Sequence, residues 1–378
     1  MPEVETAASR TLPAMDLPVM PPLLPMLAKS TPELPDAEPG AFWFEPKWDG
    51  FRCIVFRDGD EIELGSRNDR PLTRYFPELL EPLEASLPDR CVVDGEVVVA
   101  GPDGLDFDAL QQRIHPAKSR VDRLAEETPA QFVAFDLLAL DDRSLLDVPL
   151  AERRSLLEAS VPDPASSVHV TPGTYDRATA ADWFARFEGA GLDGVMAKAA
   201  DGAYQPNKRT QLKIKHLRTA DVVVAGFREH KNGDGPGSLM LGLYDDEGNL
   251  HNLGVASSFS VARRAELRDE LAPFVTDDWS THPWGRWADA AAHEAADGGR
   301  LPGGQSRWNA KKDLSFTPLR PELVAEVAYE RVDNGRFRHS CRFQRWRTDR
   351  TPASCTFEQL EVVPPMLLHT VFQTDGSA

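Results

Sequence analysis

Short apolar runs separated by turn residues dominate the first third of the chain. "AFWFEPKW" (41–48), "RCIVFRDGDEIEL" (52–64), "CVVDGEVVVA" (91–100) and "QFVAFDLLAL" (131–140) read as strands, and Asp58-Gly59 marks a hairpin within the second. Helical spacing with acceptable start and stop residues falls at "FDALQQRIH", "LAERRSLLEAS" and "TAADWFARFEGAG". Strands and helices mixed in this order predict an α+β fold, not a regular βαβ repeat. The pattern changes after Lys215-His216. "ADVVVAGFREH", "SLMLGLYDD" and "EGNLHNLGVASS" then read as consecutive antiparallel strands, with a turn at Asp246-Glu247-Gly248, as in a small β-barrel of the OB type. The predicted domains are 1–216 and 217–378, the second with a weakly periodic Trp-, Ala- and Gly-rich surface insertion at about 275–318.

Composition agrees with two domains. A chain of 378 residues exceeds the roughly 250–300 at which single cores stop growing. No apolar run approaches the roughly 20 residues of a membrane span, and "MPEVETAASRTLP" lacks the apolar core of a secretory signal, so a soluble cytoplasmic protein is expected. Cys53, Cys91, Cys341 and Cys355 fit neither a C-x-x-C metal site nor a disulfide framework. The formal net charge of −18 argues against a nucleic-acid partner until its distribution is considered. "NKRTQLKIKHLR" (207–218) and "RVDNGRFRHSCRFQRWRTDR" (331–350) concentrate the basic residues, the second interleaved with aromatics.

Lys47 lies between an aromatic pair and an Asp-Gly turn in "KWDGFR". Near neutral pH only about one free lysine in a thousand is uncharged, and lowering its pKa by about three units takes on the order of 4 kcal/mol. Trp43, Trp48, Arg52 and a divalent cation are the expected sources of that help. Downstream, in fixed order, come "SRNDR" (66–70), "VVDGEVVV" (92–99), "FVAFDLL" (132–138), "DGVMAK" (193–198) and "LKIK" (212–215). A lysine nucleophile, carboxylates for a hard cation, an aromatic platform and phosphate-binding lysines are what nucleotidyl transfer requires.

The order and spacing of these motifs resemble the covalent nucleotidyltransferases, specifically the ATP-dependent DNA ligases, and "PMLAKS" with the small size resembles their compact bacterial ligase C type. The resemblance covers nearly the whole chain. It implies that Lys47 accepts AMP from ATP, that Glu45 meets the adenine amino group, and that Arg52 and Arg67 meet ribose or substrate phosphate. Glu96 would contact ribose and share Mg²⁺ or Mn²⁺ with Asp193, Phe135 would stack on adenine, and Lys213 and Lys215 would reach the ATP phosphates. "RWRTDR" resembles the element that orients pyrophosphate through Arg347, Asp349 and Arg350. Two positions depart from the family pattern: Asp193 stands where Glu is usual, which shortens its reach to metal, and Arg350 where Lys is common. The implied partner is nicked double-stranded DNA, sealed by a monomer through lysyl-AMP and DNA-adenylate as the OB domain rotates near 216–221. Repair polymerases or end-joining proteins are further implied partners, and the nucleoid the implied location. Rival readings are a GTP-dependent capping guanylyltransferase, an RNA ligase and a non-catalytic OB-fold nucleic-acid-binding protein. Glu45, the OB module and the intact Lys47, Glu96, Lys213 and Lys215 weigh against them in turn.

Overall fold

The computed structural model describes residues 15–68, 70–162, 164–233, 235–286, 301–302, 314–333 and 335–373. Two compact units result: Met1–Lys215 together with Val363–Ala378, and His216–Val362. The pattern-based second domain, 217–378, therefore includes a tail that the structure returns to the first unit. That tail has no strand or helix periodicity to separate it from the barrel.

In chain order the first unit contains β1 (Leu27–Thr31), β2 (Phe42–Pro46), β3 (Phe51–Asp58), β4 (Glu61–Ser66), β5 (Arg90–Gly101) and β6 (Gly104–Leu105). It continues with β7 (Ala130–Leu140), β8 (Arg143–Ser144), β9 (Val168–Val170), β10 (Val195–Ala199) and β11 (Arg209–Ile214). One sheet has the order β4-β3-β5-β7-β8, with β6 on β5 and β9 on β7; the other is β1-β11-β10-β2. The near-continuous apolar runs of β3, β5 and β7 follow from cores on both faces of the large sheet. Along β3, Cys53 and Val55 enter one core while Ile54 and Phe56 enter another. Each such fully buried aliphatic or aromatic side chain contributes about 1.5–3 kcal/mol of transfer free energy.

The second unit contains β12 (Arg218–Glu229), β13 (Pro236–Tyr244), β14 (Leu250–Ser257), β15 (Thr317–Tyr329), β16 (Val332–Asp333), β17 (Arg336–Phe337) and β18 (Arg342–Trp346). Five of them form a sheet in the order β14-β13-β12-β15-β18. A parallel bridge between Ala256 and Cys341 closes it, with Cys341 N donating to Val255 O at 2.8 Å. The result is the expected closed OB barrel. Helix Val261–Leu271 follows β14, and the Ser260 hydroxyl caps it by accepting from Arg263 N. The expected insertion at about 275–318 lies mostly outside the described residues. In its described beginning Asp277, Asp278, Ser280 and Thr281 are exposed, whereas Trp284 is fully buried in the barrel core, where its indole N–H donates to Leu250 O at 2.8 Å. All four cysteines are buried free thiols, and among the described residues no helix is long and apolar enough to cross a membrane.

Candidate active site

Lys47 occupies the loop between β2 and β3. The small sheet explains its neighbours, because Val195 at the start of β10 pairs with Pro46 of β2 on one side and Ile214 of β11 on the other. One step earlier, Gly194 is flanked by Lys47 and Lys215. Lys47 N donates to Gly194 O at 2.8 Å, and Asp193 N donates back to Lys47 O at 2.9 Å. Gly194 has φ +133, and a Cβ there would stand 2.1 Å from Ile214 O, so the crossing needs glycine. Gly50 serves the same purpose at the other end of the loop, where a Cβ would meet Val97 O at 2.3 Å.

Both lysines converge on one carboxylate oxygen. Lys47 Nζ lies 2.8 Å and Lys215 Nζ 2.9 Å from Asp193 Oδ2. Burial alone would raise the Asp193 pKa, but the two ammoniums hold this carboxyl well below the usual carboxylate range. The tryptophans expected to help Lys47 are engaged elsewhere: Trp43 Nε1 donates to Glu45 Oε1 and Trp48 Nε1 to Thr171 Oγ1, both at 2.8 Å.

Beside the lysine loop, side chains from β2, β3, β5, β7 and β10 gather into a buried cluster. Glu45, buried, is held by Trp43 and by Lys198 Nζ at 2.5 Å from Oε2. Phe135 is the extra residue of a β-bulge, since Asp94 pairs with Asp136 and Gly95 with Ala134. Two cations approach its ring, Arg52 at 4.3 Å and Lys198 at 4.6 Å from the centroid. Arg52 is also clamped bidentately by Asp94, at 2.6 Å to each oxygen, and Tyr204 OH donates to the same carboxylate at 2.6 Å. Lys198, Asp94 and Tyr204 were not among the sequence candidates. Two of them had a readable signal: Lys198 ends "DGVMAK", and Asp94 lies two residues before Glu96, hence on the same face of β5.

Glu96 sits opposite Arg52 across the β3–β5 pair. Burial lifts its pKa to about 7 despite the opposing pull of Arg52 and Lys47. Because the folded value exceeds the ordinary one near 4.5, the stability it lends is fully present below pH 4.5 and is lost as pH rises through 7. Glu96→Gln mimics the protonated form. In chelator, its unfolding free energy should therefore match wild type at pH 4.5 and exceed it by about 1–3 kcal/mol at pH 8. Denaturant titrations at the two pH values check this, and a gap that does not widen would refute the assignment.

Other candidates are less gathered. Arg67 is exposed on the turn after β4. Lys213 pairs in register with Met196 of β10 and Ser30 of β1, two residues before Lys215 and on the same face of its strand. Arg347, Asp349 and Arg350 belong to the second unit. Asp221 accepts two bonds from Arg347 Nη1 at 2.8 Å, and Asp349 grips the other edge of the guanidinium at 2.8 Å twice. Arg350 Nε stands 3.5 Å from Asp221, and Arg345 pairs with Glu326 at 2.7 Å.

The carboxylates expected to bind a divalent cation are Asp193 and Glu96, and among the described residues no cluster of three or more His, Cys, Asp or Glu side chains is poised to hold a metal. Two hard oxygen donors fit an ion of the Mg²⁺ type, which keeps waters and takes substrate phosphate oxygens, and do not make an all-protein cage.

Family models agree with this layout. Residues 25–215 match the ATP-dependent DNA ligase domain, and residues 232–350 the ATP-dependent DNA ligase C-terminal region. The chain is 57% identical over 353 residues to DNA ligase C of Mycobacterium tuberculosis, covering 92% of this chain and 96% of that protein. It is 56% identical over 351 residues to DNA ligase C2 of Mycolicibacterium smegmatis, covering 93% and 97%. A solved structure from a study of Lig E DNA ligases shares the fold at 16% identity, with a TM-score of 0.52 over 86% of this chain and 100% of that one. With a lysine and a carboxylate paired at the head of its first unit and an OB barrel as its second, the chain belongs to the family of ATP-dependent DNA ligases.

Proposed function

We propose that Lys47 is the residue that carries AMP and that the protein seals nicks in duplex DNA. The observation that carries this reading is the placement of Lys47 and Lys215 on either side of Gly194, both on Asp193 Oδ2. In the first step the unprotonated Lys47 amine attacks the α-phosphorus of ATP. An N–P bond forms, the bond to the bridging oxygen breaks, and pyrophosphate leaves. AMP then passes to the 5′-phosphate at the nick, and the adjacent 3′-hydroxyl displaces it to form the phosphodiester. Asp193 orients Nζ before attack, Glu45 and Phe135 supply a polar edge and a ring for adenine, and Lys213 and Lys215 meet phosphate oxygens. Arg52, held over Phe135 by Asp94, is placed to meet a sugar or phosphate beside that ring. Glu96 and Asp193 would hold Mg²⁺ or Mn²⁺, which neutralises charge on the phosphates.

Incubation with labelled ATP or GTP and either metal should leave AMP alone covalently attached, and peptide mapping should find it on Lys47. A guanylate adduct, or an adduct on another residue, would sink the reading. The likeness to proteins named DNA ligase C, together with 33% identity to part of a multifunctional non-homologous end joining protein of Mycobacterium bovis, supports a repair role with end-joining or repair-polymerase partners.

A further inference from the structure

After the OB unit the chain runs back over the first unit as a strap. Met366 N donates to Gly189 O at 2.8 Å, and Leu368 and Val371 are buried in the core that contains Phe44, Trp48, Trp183 and Phe187. The strap ends in a short helical turn, His369–Phe372. There the Phe372 ring lies between two others: the His169 imidazole, 4.0 Å away and 17° from parallel, and the Trp48 indole, 5.1 Å away and 16° from parallel. Burial pushes the His169 pKa down, so Phe372 meets an uncharged ring at neutral pH. The strap lies beyond residue 350, where the second family-model match ends.

Trp48 is the residue after Lys47, and its carbonyl lies 3.5 Å from Lys47 Nζ. Its indole is fixed at the N–H edge by Thr171 and on one face by Phe372. The loop has backbone anchors at Gly194 and Asp193, and the indole that follows the lysine is buried in the core the strap completes. We propose that Phe372 is a positioning residue for the adenylation step: the strap clamps Trp48 and through it aims Lys47. The inference rests on Lys47 being the nucleophile.

The strap can be disturbed from either side. Phe372→Ala removes the clamp. A Cβ on Gly189 would stand 2.2 Å from Pro364 O and 3.3 Å from Met366, so Gly189→Val pushes the strap away without touching Trp48. The measurement is single-turnover self-adenylation of the full chain across ATP concentrations, at a temperature where circular dichroism shows each variant fully folded. Both variants should lose about 10- to 100-fold in maximal rate, with half-saturating ATP little changed, because Glu45 and Phe135 are untouched. Phe372→Tyr keeps the stacked ring and should restore the rate. A strap that serves stability alone would lower the melting temperature and leave the maximal rate per folded molecule at the wild-type value, and that result would overturn the proposal. So would a loss confined to half-saturating ATP, or one seen in Phe372→Ala but absent in Gly189→Val. Lys47→Ala, run alongside, separates the two ideas: label retained there refutes the nucleophile, whatever the strap variants do.

Discussion

Lys47→Ala protein should take up no ATP-derived label while still sealing a nick that already carries AMP on its 5′-phosphate. Removing a nucleophile in covalent catalysis eliminates the step that depends on it, so a fall in self-adenylation of about four orders of magnitude or more is expected. The fold should tolerate the change. Asp193 keeps Lys215 at 2.9 Å, so no buried charge is left alone, and the loss of one of two cations should cost about 1–2 kcal/mol. Joining of the pre-adenylated nick should persist because Lys213, Lys215 and Glu96, the residues proposed to hold the phosphates and the metal, remain. Labelled-ATP uptake, sealing of both substrates and a denaturant midpoint, measured on one preparation, decide it. Loss of both sealing activities with normal stability would show that Lys47 has a further role after AMP transfer, and retained label would refute the assignment.

Arg347→Ala should separate the same two activities from the other unit. Its guanidinium uses both edges, one for Asp221 and one for Asp349, with Glu326 a third carboxylate at 3.7 Å. Such a cation is held in one orientation, as suits the pyrophosphate-orienting role that the resemblance of "RWRTDR" implies. Loss of one oriented charge-stabilising group costs about 10²–10³ in rate, and that loss should appear in lysine adenylation from ATP. Sealing of a pre-adenylated nick at low salt should fall by less than about tenfold, the weakening expected from a single lost phosphate contact. Arg347→Lys is the sharper variant. It keeps the charge but cannot span two carboxylates, so it should behave like alanine, not wild type. Equal losses on both substrates would assign the segment to DNA binding or folding.

The sequence showed the two-part α+β and OB architecture because apolar runs and turn residues are local signals. The lysine and carboxylates of the site were legible for a related reason: "KWDG", "DGE" and "DGVMAK" place chemistry within a few residues of a backbone glycine that packing demands. What local reading missed depends on register. Asp94 clamps Arg52 only because β3 and β5 pair with Ile54 opposite Asp94 and Arg52 opposite Glu96. Phe135 was named through the resemblance, but the bulge that turns it out of the ladder is invisible in composition. The same holds for Trp43 and Trp48, which flank the lysine in sequence but hydrogen-bond to Glu45 and Thr171 in space. Helix Val261–Leu271 did carry a signal, with Ser260 as cap and Arg264, Leu267 and Leu271 buried at helical spacing, but the neighbouring strands obscured it. The strap offered none, since "VPPMLLHTVF" has no period until Trp48 and His169 supply the rings it packs against.

The return of the strap has a consequence for how the polypeptide is made. A ribosome delivers residues in order, and domains generally fold as they emerge. Here the first unit cannot close the apolar surface around Trp48, Phe187 and Val195 until the entire barrel has been synthesised, because Leu368, Val371 and Phe372 come after it. During that interval the nascent chain presents an uncovered apolar surface beside its lysine loop, where chaperones or proteases can reach it. A translation-arrested chain whose exposed portion ends at Val362 should therefore be cut near Trp48 by a protease specific for aromatic residues, and release of the remaining residues should make the same bond resistant.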